Sequence, residues 1–177
     1  MTATTLLYTT HESVIGRLLL VASERGLRQV TMLDSGESPE ATLTLLYGSA
    51  QPVLEAKGFF SSACEAIDRY LNQGEPLSLP HELVGGTALQ RAVWMALSKI
   101  PYGKTVSYSE LAERVGFPRA VRAVASACAA NPLPLIIPCH RVIAKDGTLG
   151  GFSLGGLDVK EKLLASERGE RPKMLAA

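Results

Sequence analysis

Residues 131–142 read Asn131-Pro132-Leu133-Pro134-Leu135-Ile136-Ile137-Pro138-Cys139-His140-Arg141-Val142. Proline fixes φ and has no amide hydrogen, so three prolines within seven positions exclude a helix and a central strand. The apolar run between them is therefore read as a rigid extended segment ended by Pro138. The rest of the chain has to pack around it. Cys139 follows at a fixed place, and fixed placement is what a nucleophile needs.

The chain has three cysteines. Cys64 and Cys128 fall on apolar helical stripes and read as small core hydrophobes. Cys139 lies on no such stripe. A free thiol has a pKa near 8.5, so only a few per cent is thiolate at neutral pH unless a base or cation helps. His140 is the candidate base. Residues i and i+1 do not face each other on a strand or a helix, so contact between the two needs a turn or a bridging water. A third group should then orient the imidazole. On a helix over 157–167, Glu167 follows Leu163 by four residues and Leu164 by three, so it points along an apolar face. There it needs a buried partner, and a histidine serves. A core thiol beside a structural histidine is the commoner use of such a pair. Neither CxxC nor HxxxH spacing occurs, so no metal and no cofactor is expected. The loop Gly150-Gly151-Phe152-Ser153-Leu154-Gly155-Gly156 does not match a dinucleotide-binding fingerprint.

Elsewhere the spacing is ordinary for 177 residues of which 46% are hydrophobic. Residues 6–33 read as short strands, with Arg25-Gly26 turning a hairpin. Residues 34–53 read as a connection with room for one short helix. A helix over 54–73 is expected from Phe60, Ala63, Cys64, Ile67 and Leu71 on one face, and residues 75–86 form a candidate linker. Leu89, Val93, Ala96, Leu97 and Ile100 mark the next helix. Ser107 and Glu110 make a capping box, and a third helix over 118–130 follows Gly116. These last two resemble a helix-turn-helix. The exposed face of the third helix carries Arg119 and Arg122 among alanines. Close packing in a core and approach to a nucleic-acid groove are both compatible with that face.

The expected fold is mixed α/β (α+β). An N-terminal domain with an antiparallel sheet and a helix spans 1–86, a mainly helical, winged-helix-like domain spans 87–170, and 171–177 is a tail. Charge divides the same way. Residues 1–86 carry 5 Lys and Arg against 10 Asp and Glu, whereas 87–170 carry 11 against 7. Only the second half therefore suits a polyanion. No apolar run approaches the roughly 18 residues of a membrane span, and Met1–Thr10 does not read as a signal peptide. With no disulfide framework, the expected location is intracellular: cytoplasmic, or nuclear in a eukaryote.

At Pro138-Cys139-His140-Arg141-Val142 the sequence resembles the O6-alkylguanine-DNA alkyltransferases, the methylated-DNA–protein-cysteine methyltransferases. Supporting motifs are Tyr102-Gly103-Lys104-Thr105-Val106-Ser107-Tyr108, Arg119-Ala120-Val121-Arg122-Ala123-Val124, Asn131-Pro132, and Lys160-Glu161 through Glu167. The resemblance is close over 87–169 and weaker before it. It implies a ribonuclease-H-like N-terminal domain. It also implies direct-reversal DNA repair, in which Cys139 takes the alkyl group from O6-alkylguanine, and O4-alkylthymine, once and irreversibly. His140, through a water, and Glu167 would deprotonate Cys139, and Asn131 would brace the turn before it. Tyr108, the Val142 carbonyl, the Ser153 amide and Phe152 would hold the flipped base; many relatives carry Tyr at the Phe152 position. Arg122 would enter the base stack, with Arg119, Ala123 and Arg141 at the DNA. The implied partner is double-stranded DNA met through the minor groove by a monomer, with no membrane. The alternative within the resemblance is a non-reacting protein that only binds alkylated DNA.

Overall fold

The computed structural model describes residues 5–49, 51 and 53–170; the expected tail, 171–177, lies outside the described residues. Strands β1 (Leu6–Ser13), β2 (Gly16–Ser23) and β3 (Gly26–Met32) form an antiparallel meander. Helix α1 (Pro39–Tyr47) then crosses one face and delivers β4 (Val53–Glu55), which pairs parallel to β1. The sheet order is β3-β2-β1-β4, so the sheet is mixed rather than antiparallel throughout. A parallel pair needs a crossover of this kind, and α1 supplies it.

Strand β2 shows why the sheet is covered on both sides. Leu18 through Ala22 are all at most 1% exposed. Leu19 and Val21 face Leu6, Tyr8, Leu33 and Leu43 of α1. Leu18, Leu20 and Ala22 face the opposite way, into a larger core shared with the second half of the chain.

The helix expected over 54–73 starts later. Residues 53–55 pair with β1, Lys57–Phe60 make a tight 3-10 turn, and α2 (Ser61–Gln73) follows. Pairing with an available sheet edge overrides the local helical pattern. The candidate linker 75–86 is not a free tether. The Leu27 amide donates to the Pro80 carbonyl (2.9 Å) and the Glu82 amide to that of Leu27 (2.8 Å). The Glu82 carboxylate accepts from Arg28 Nε (2.8 Å) and Ser23 Oγ (2.9 Å). Gly26, at φ +131°, makes this docking feasible: a Cβ there would lie 2.5 Å from the Pro80 backbone.

The C-terminal helical domain begins at α3 (Ala88–Leu97), opened by a Thr87–Gln90 capping box. It continues through β5 (Val106–Ser107), α4 (Tyr108–Arg114), α5 (Val121–Ala129), β6 (Val142–Ile143) and α6 (Gly156–Glu167). Helix α5 is shorter than expected at its start, where Pro118 and Arg119 lie in a turn. Trp94 of α3 donates its indole N–H to the Ala127 carbonyl of α5 (2.9 Å). One apolar cluster runs from Leu18 and Phe60 through Ile67, Val93, Trp94 and Leu133 to Leu163. Among the described residues no helix is long and apolar enough to cross a membrane.

Candidate active site

The proline segment is compact rather than extended, and Asn131 is the reason. Its buried Oδ1 accepts from the Leu133 amide (3.0 Å) and its Nδ2 donates to the Ile137 carbonyl (2.7 Å). The Ile137 amide reaches back to the Leu133 carbonyl (2.8 Å), and Pro132 accepts from the Val30 amide of β3 (2.9 Å). Within this clasp Leu135 takes φ +73°, the one positive value at a non-glycine among the described residues. A side chain in that region costs roughly 1 kcal/mol, and the surrounding bonds hold it there.

The clasp ends in a 3-10 turn, Cys139–Arg141. Cys139, 6% exposed, sits at a cavity of about 300 Å³ lined also by Tyr108, Ala125, Cys128, Ala129, Gly151, Phe152 and Ser153. Tyr108 is brought there by two devices. Its neighbours Val106 and Ser107 pair with Val142 and Ile143, directly after the cysteine turn. The Ser107–Glu110 capping box then starts α4 at Tyr108.

Behind Cys139 lies a largely buried polar cluster. His140 Nε2 is 2.8 Å from Glu167 Oε1 and 3.1 Å from the Tyr70 hydroxyl. Tyr70 donates to the same Oε1 (2.8 Å). Arg141 donates Nε to Oε2 (2.8 Å), Nη2 to Oε1 (2.9 Å) and Nη1 to the Ile100 carbonyl (2.7 Å). The Gly103 amide also donates to Oε2 (3.1 Å). His140 Nδ1 is buried without a hydrogen-bond partner among the described residues.

The charges follow from these contacts. Burial alone would raise the Glu167 carboxyl, but donation from His140 and Arg141 holds it well below the usual carboxylate range. Burial pushes the His140 imidazole down, against the pull of Glu167, so it is neutral at neutral pH. Burial pushes the Cys139 thiol up, opposed by a hydrogen bond from Asn131 and by the Lys160 charge. Tyr108 is pushed up to about 12, chiefly by burial, and remains a phenol donor. The arrangement is a thiol at a cavity, with a neutral imidazole hydrogen-bonded at Nε2 and without a partner at Nδ1 among the described residues.

Two family models match the chain. They describe the ribonuclease-like domain of 6-O-methylguanine DNA methyltransferase over residues 6–83 and its DNA-binding domain over 88–169. A methylated-DNA–protein-cysteine methyltransferase of Methanosarcina barkeri is 41% identical, covering 88% of this chain and 93% of that protein. The chain belongs to the 6-O-methylguanine DNA methyltransferase family. It spans less than half the length of two other relatives, the Escherichia coli Ada transcriptional activator/DNA repair enzyme (42% identical, 45% of that protein) and the Salmonella typhimurium regulatory protein ada (44%, 42%). A crystal structure of Mycobacterium tuberculosis O6-methylguanine methyltransferase aligns with a TM-score of 0.78 at 36% identity, covering 94% of this chain and 95% of that one. The same organism's OGT in complex with DNA aligns with 0.76 at 32%, covering 97% of each.

Against the family pattern, Cys139, Tyr108, Phe152 and Ser153 share one cavity, with His140 and Glu167 joined behind it. Arg119, Arg122 and Ala123 are exposed together at the start of α5. Arg141 corrects an expectation. The resemblance places it at the DNA, but its guanidinium is turned inward onto Glu167 and is 11% exposed. The Val142 carbonyl already accepts from Lys160 Nζ (2.7 Å), which also donates to the carbonyls of Gly151 (3.3 Å) and Leu149. Lys160 and Tyr70 are the polar residues that sequence reasoning gave no role. Tyr70 stands three residues after Ile67 on the apolar stripe of α2, the one signal that would have placed it inward.

Proposed function

We propose that the chain repairs DNA by moving an alkyl group from O6 of guanine to Cys139 Sγ, once per molecule. The observation that carries this reading is the buried thiol at the cavity, one residue before a histidine hydrogen-bonded to Glu167. Relatives named as methylated-DNA–protein-cysteine methyltransferases support it.

An O6-alkyl group is hidden in the stacked duplex, so the nucleotide has to flip into the cavity. There Tyr108 donates to the base, the Cys139 and Val142 carbonyls take its amino group, and the Ser153 amide faces O6 beside Phe152. Arg122 fills the gap left in the stack, and Arg119 meets phosphate. Small residues such as Ala123 let α5 approach the minor groove. Such contacts carry no base code, which suits a repair protein. We further propose a monomer, with domain limits at 1–86 and 87–170 and with O4-alkylthymine as a second substrate.

His140 holds its proton on Nε2 towards Glu167, so Nδ1 is the base, receiving the Cys139 proton through a water. The thiolate then attacks the alkyl carbon. A carbon–sulfur bond forms as the carbon–O6 bond breaks, the electron pair stays on the purine, and a returning proton leaves guanine. No electron is left over and no cofactor enters the balance. The thioether has no easy leaving route, so the chain is consumed.

The test is intact-protein mass after incubation with a duplex containing O6-methylguanine. One added methyl at Cys139, absent in Cys139→Ala, is expected. His140→Ala should slow transfer by about 10²-fold or more. Arg122→Ala should slow repair of duplex more than reaction with a free base analogue, and an equal effect would remove the finger role. Binding without added mass would instead indicate a non-reacting damage sensor.

A further inference from the structure

We propose that Tyr70, on α2 of the N-terminal half, is a positioning residue that fixes the proton arrangement of His140 for transfer to Cys139; this rests on the reading of Cys139 as alkyl acceptor. The Tyr70 hydroxyl stands 2.8 Å from Glu167 Oε1 and 3.1 Å from His140 Nε2, while those two atoms are 2.8 Å apart. Three heteroatoms in a closed triangle admit few hydrogen placements. Glu167 is held as a carboxylate by Arg141 and can only accept. The phenol has one proton, and it goes to that carboxylate. Its oxygen is then left able only to accept, and the group facing it is Nε2. A lone pair at Nε2 would meet two acceptors, so Nε2 must carry the hydrogen. Nδ1 is then the lone-pair nitrogen, and it is the buried atom with no partner among the described residues.

Glu167 by itself would also draw the hydrogen to Nε2. Tyr70 adds a second acceptor on the same N–H and a donor that holds the carboxylate oxygen in line. It is 3% exposed and packed beside Ile67 and Leu71, so its hydroxyl has no alternative in solvent. Burial, followed by the nearby Glu167 charge, raises its pKa well above the ordinary value, so it stays a phenol throughout the working range. Arg141 and Tyr102 are the other titratable groups felt at this hydroxyl. A bare packing role would need only the ring.

The experiment compares single-turnover methyl transfer from saturating O6-methylguanine duplex in the full chain, Tyr70→Phe, His140→Ala and the double variant. Duplex affinity is measured on Cys139→Ser versions of each. Tyr70→Phe should slow transfer about tenfold, with affinity within twofold of the parent. In the His140→Ala background the same change should have no further effect, because Tyr70 acts through the imidazole. Equal rates in parent and Tyr70→Phe, or a tenfold loss that recurs in full without His140, overturn the inference while leaving alkyl transfer intact. A parent chain that gains no methyl removes the reading of function and this inference with it. If Tyr70→Phe loses cooperative melting, 3-fluorotyrosine at position 70 keeps the shape and sharpens the hydroxyl's acidity. Its oxygen is then a weaker acceptor for the His140 Nε2 hydrogen, so that proton's resonance should shift upfield from its position in the parent chain. An unmoved resonance, or a hydrogen found on Nδ1, overturns the inference.

Discussion

Lys160 is fully buried, and its ammonium is surrounded by the carbonyls of Val142, Leu149 and Gly151. It ties the strand after the cysteine turn to the glycine loop that closes the cavity. Lys160→Met keeps the stem and leaves those carbonyls without their donor, which should cost about 3 kcal/mol. Denaturant melts should show that loss, and amide exchange over 149–153 should accelerate. His140 gives a pH signature. Its folded pKa lies below the ordinary 6.5 because burial disfavours the cation. Its contribution to stability is therefore full above pH 6.5 and lost as pH falls from there towards the folded value. The slope is at most about 1.4 kcal/mol per pH unit. Urea midpoints of the parent should fall from pH 7 to pH 5, and His140→Gln should flatten that fall. Glu167 acts in a lower window, its support full above the ordinary carboxylate range and lost progressively as pH falls from there towards its lower folded value. Cys139, His140 and Glu167 were legible in the sequence because proline, motif and helical spacing each marked them. Tyr70 was not, since a tyrosine on an apolar stripe reads as core. Arg141 was misread because its carboxylate partner lies 26 residues away.

At the scale of elements, the strands of the first meander, the Ser107 cap and the helix-turn-helix could be read from local pattern alone, because each is specified within a few residues. The Ser107–Glu110 box was read this way; the Thr87–Gln90 box at the start of α3 has the same form but was not. Thr87→Ala should cost about 1 kcal/mol in thermal melts. Elements decided by distant partners were not legible. Residues 53–55 become a strand only because β1 offers an edge. Residues 75–86 read as a tether because nothing nearby in sequence shows the pairing with Leu27. The proline segment reads as extended until Asn131 folds it. Gly26→Ala tests the strap: its Cβ would strike the Pro80 backbone. The variant should expose the Leu27 and Glu82 amides to exchange and lower the melting temperature, while Gly58→Ala, with open space around it and no positive φ, should leave those amides protected.

At the scale of the molecule, the sheet and the helical half share one core, from Leu18 and Leu20 to Leu133 and Leu163. Shared burial makes unfolding of one half expose the other, so calorimetry should give a single transition with matching calorimetric and van't Hoff enthalpies. Two separated transitions would show that the halves hold themselves. The buried cluster behind Cys139 bears on how the chain is made. Tyr70 lies 97 positions before Glu167, and His140 lies 27 before it. Synthesis runs from the first residue, so Cys139 leaves the ribosome well ahead of the carboxylate that orders its base. Until α6 has emerged and docked, that thiol is neither buried nor backed by an ordered base, so the proton relay behind it is among the last features of the fold to be assembled.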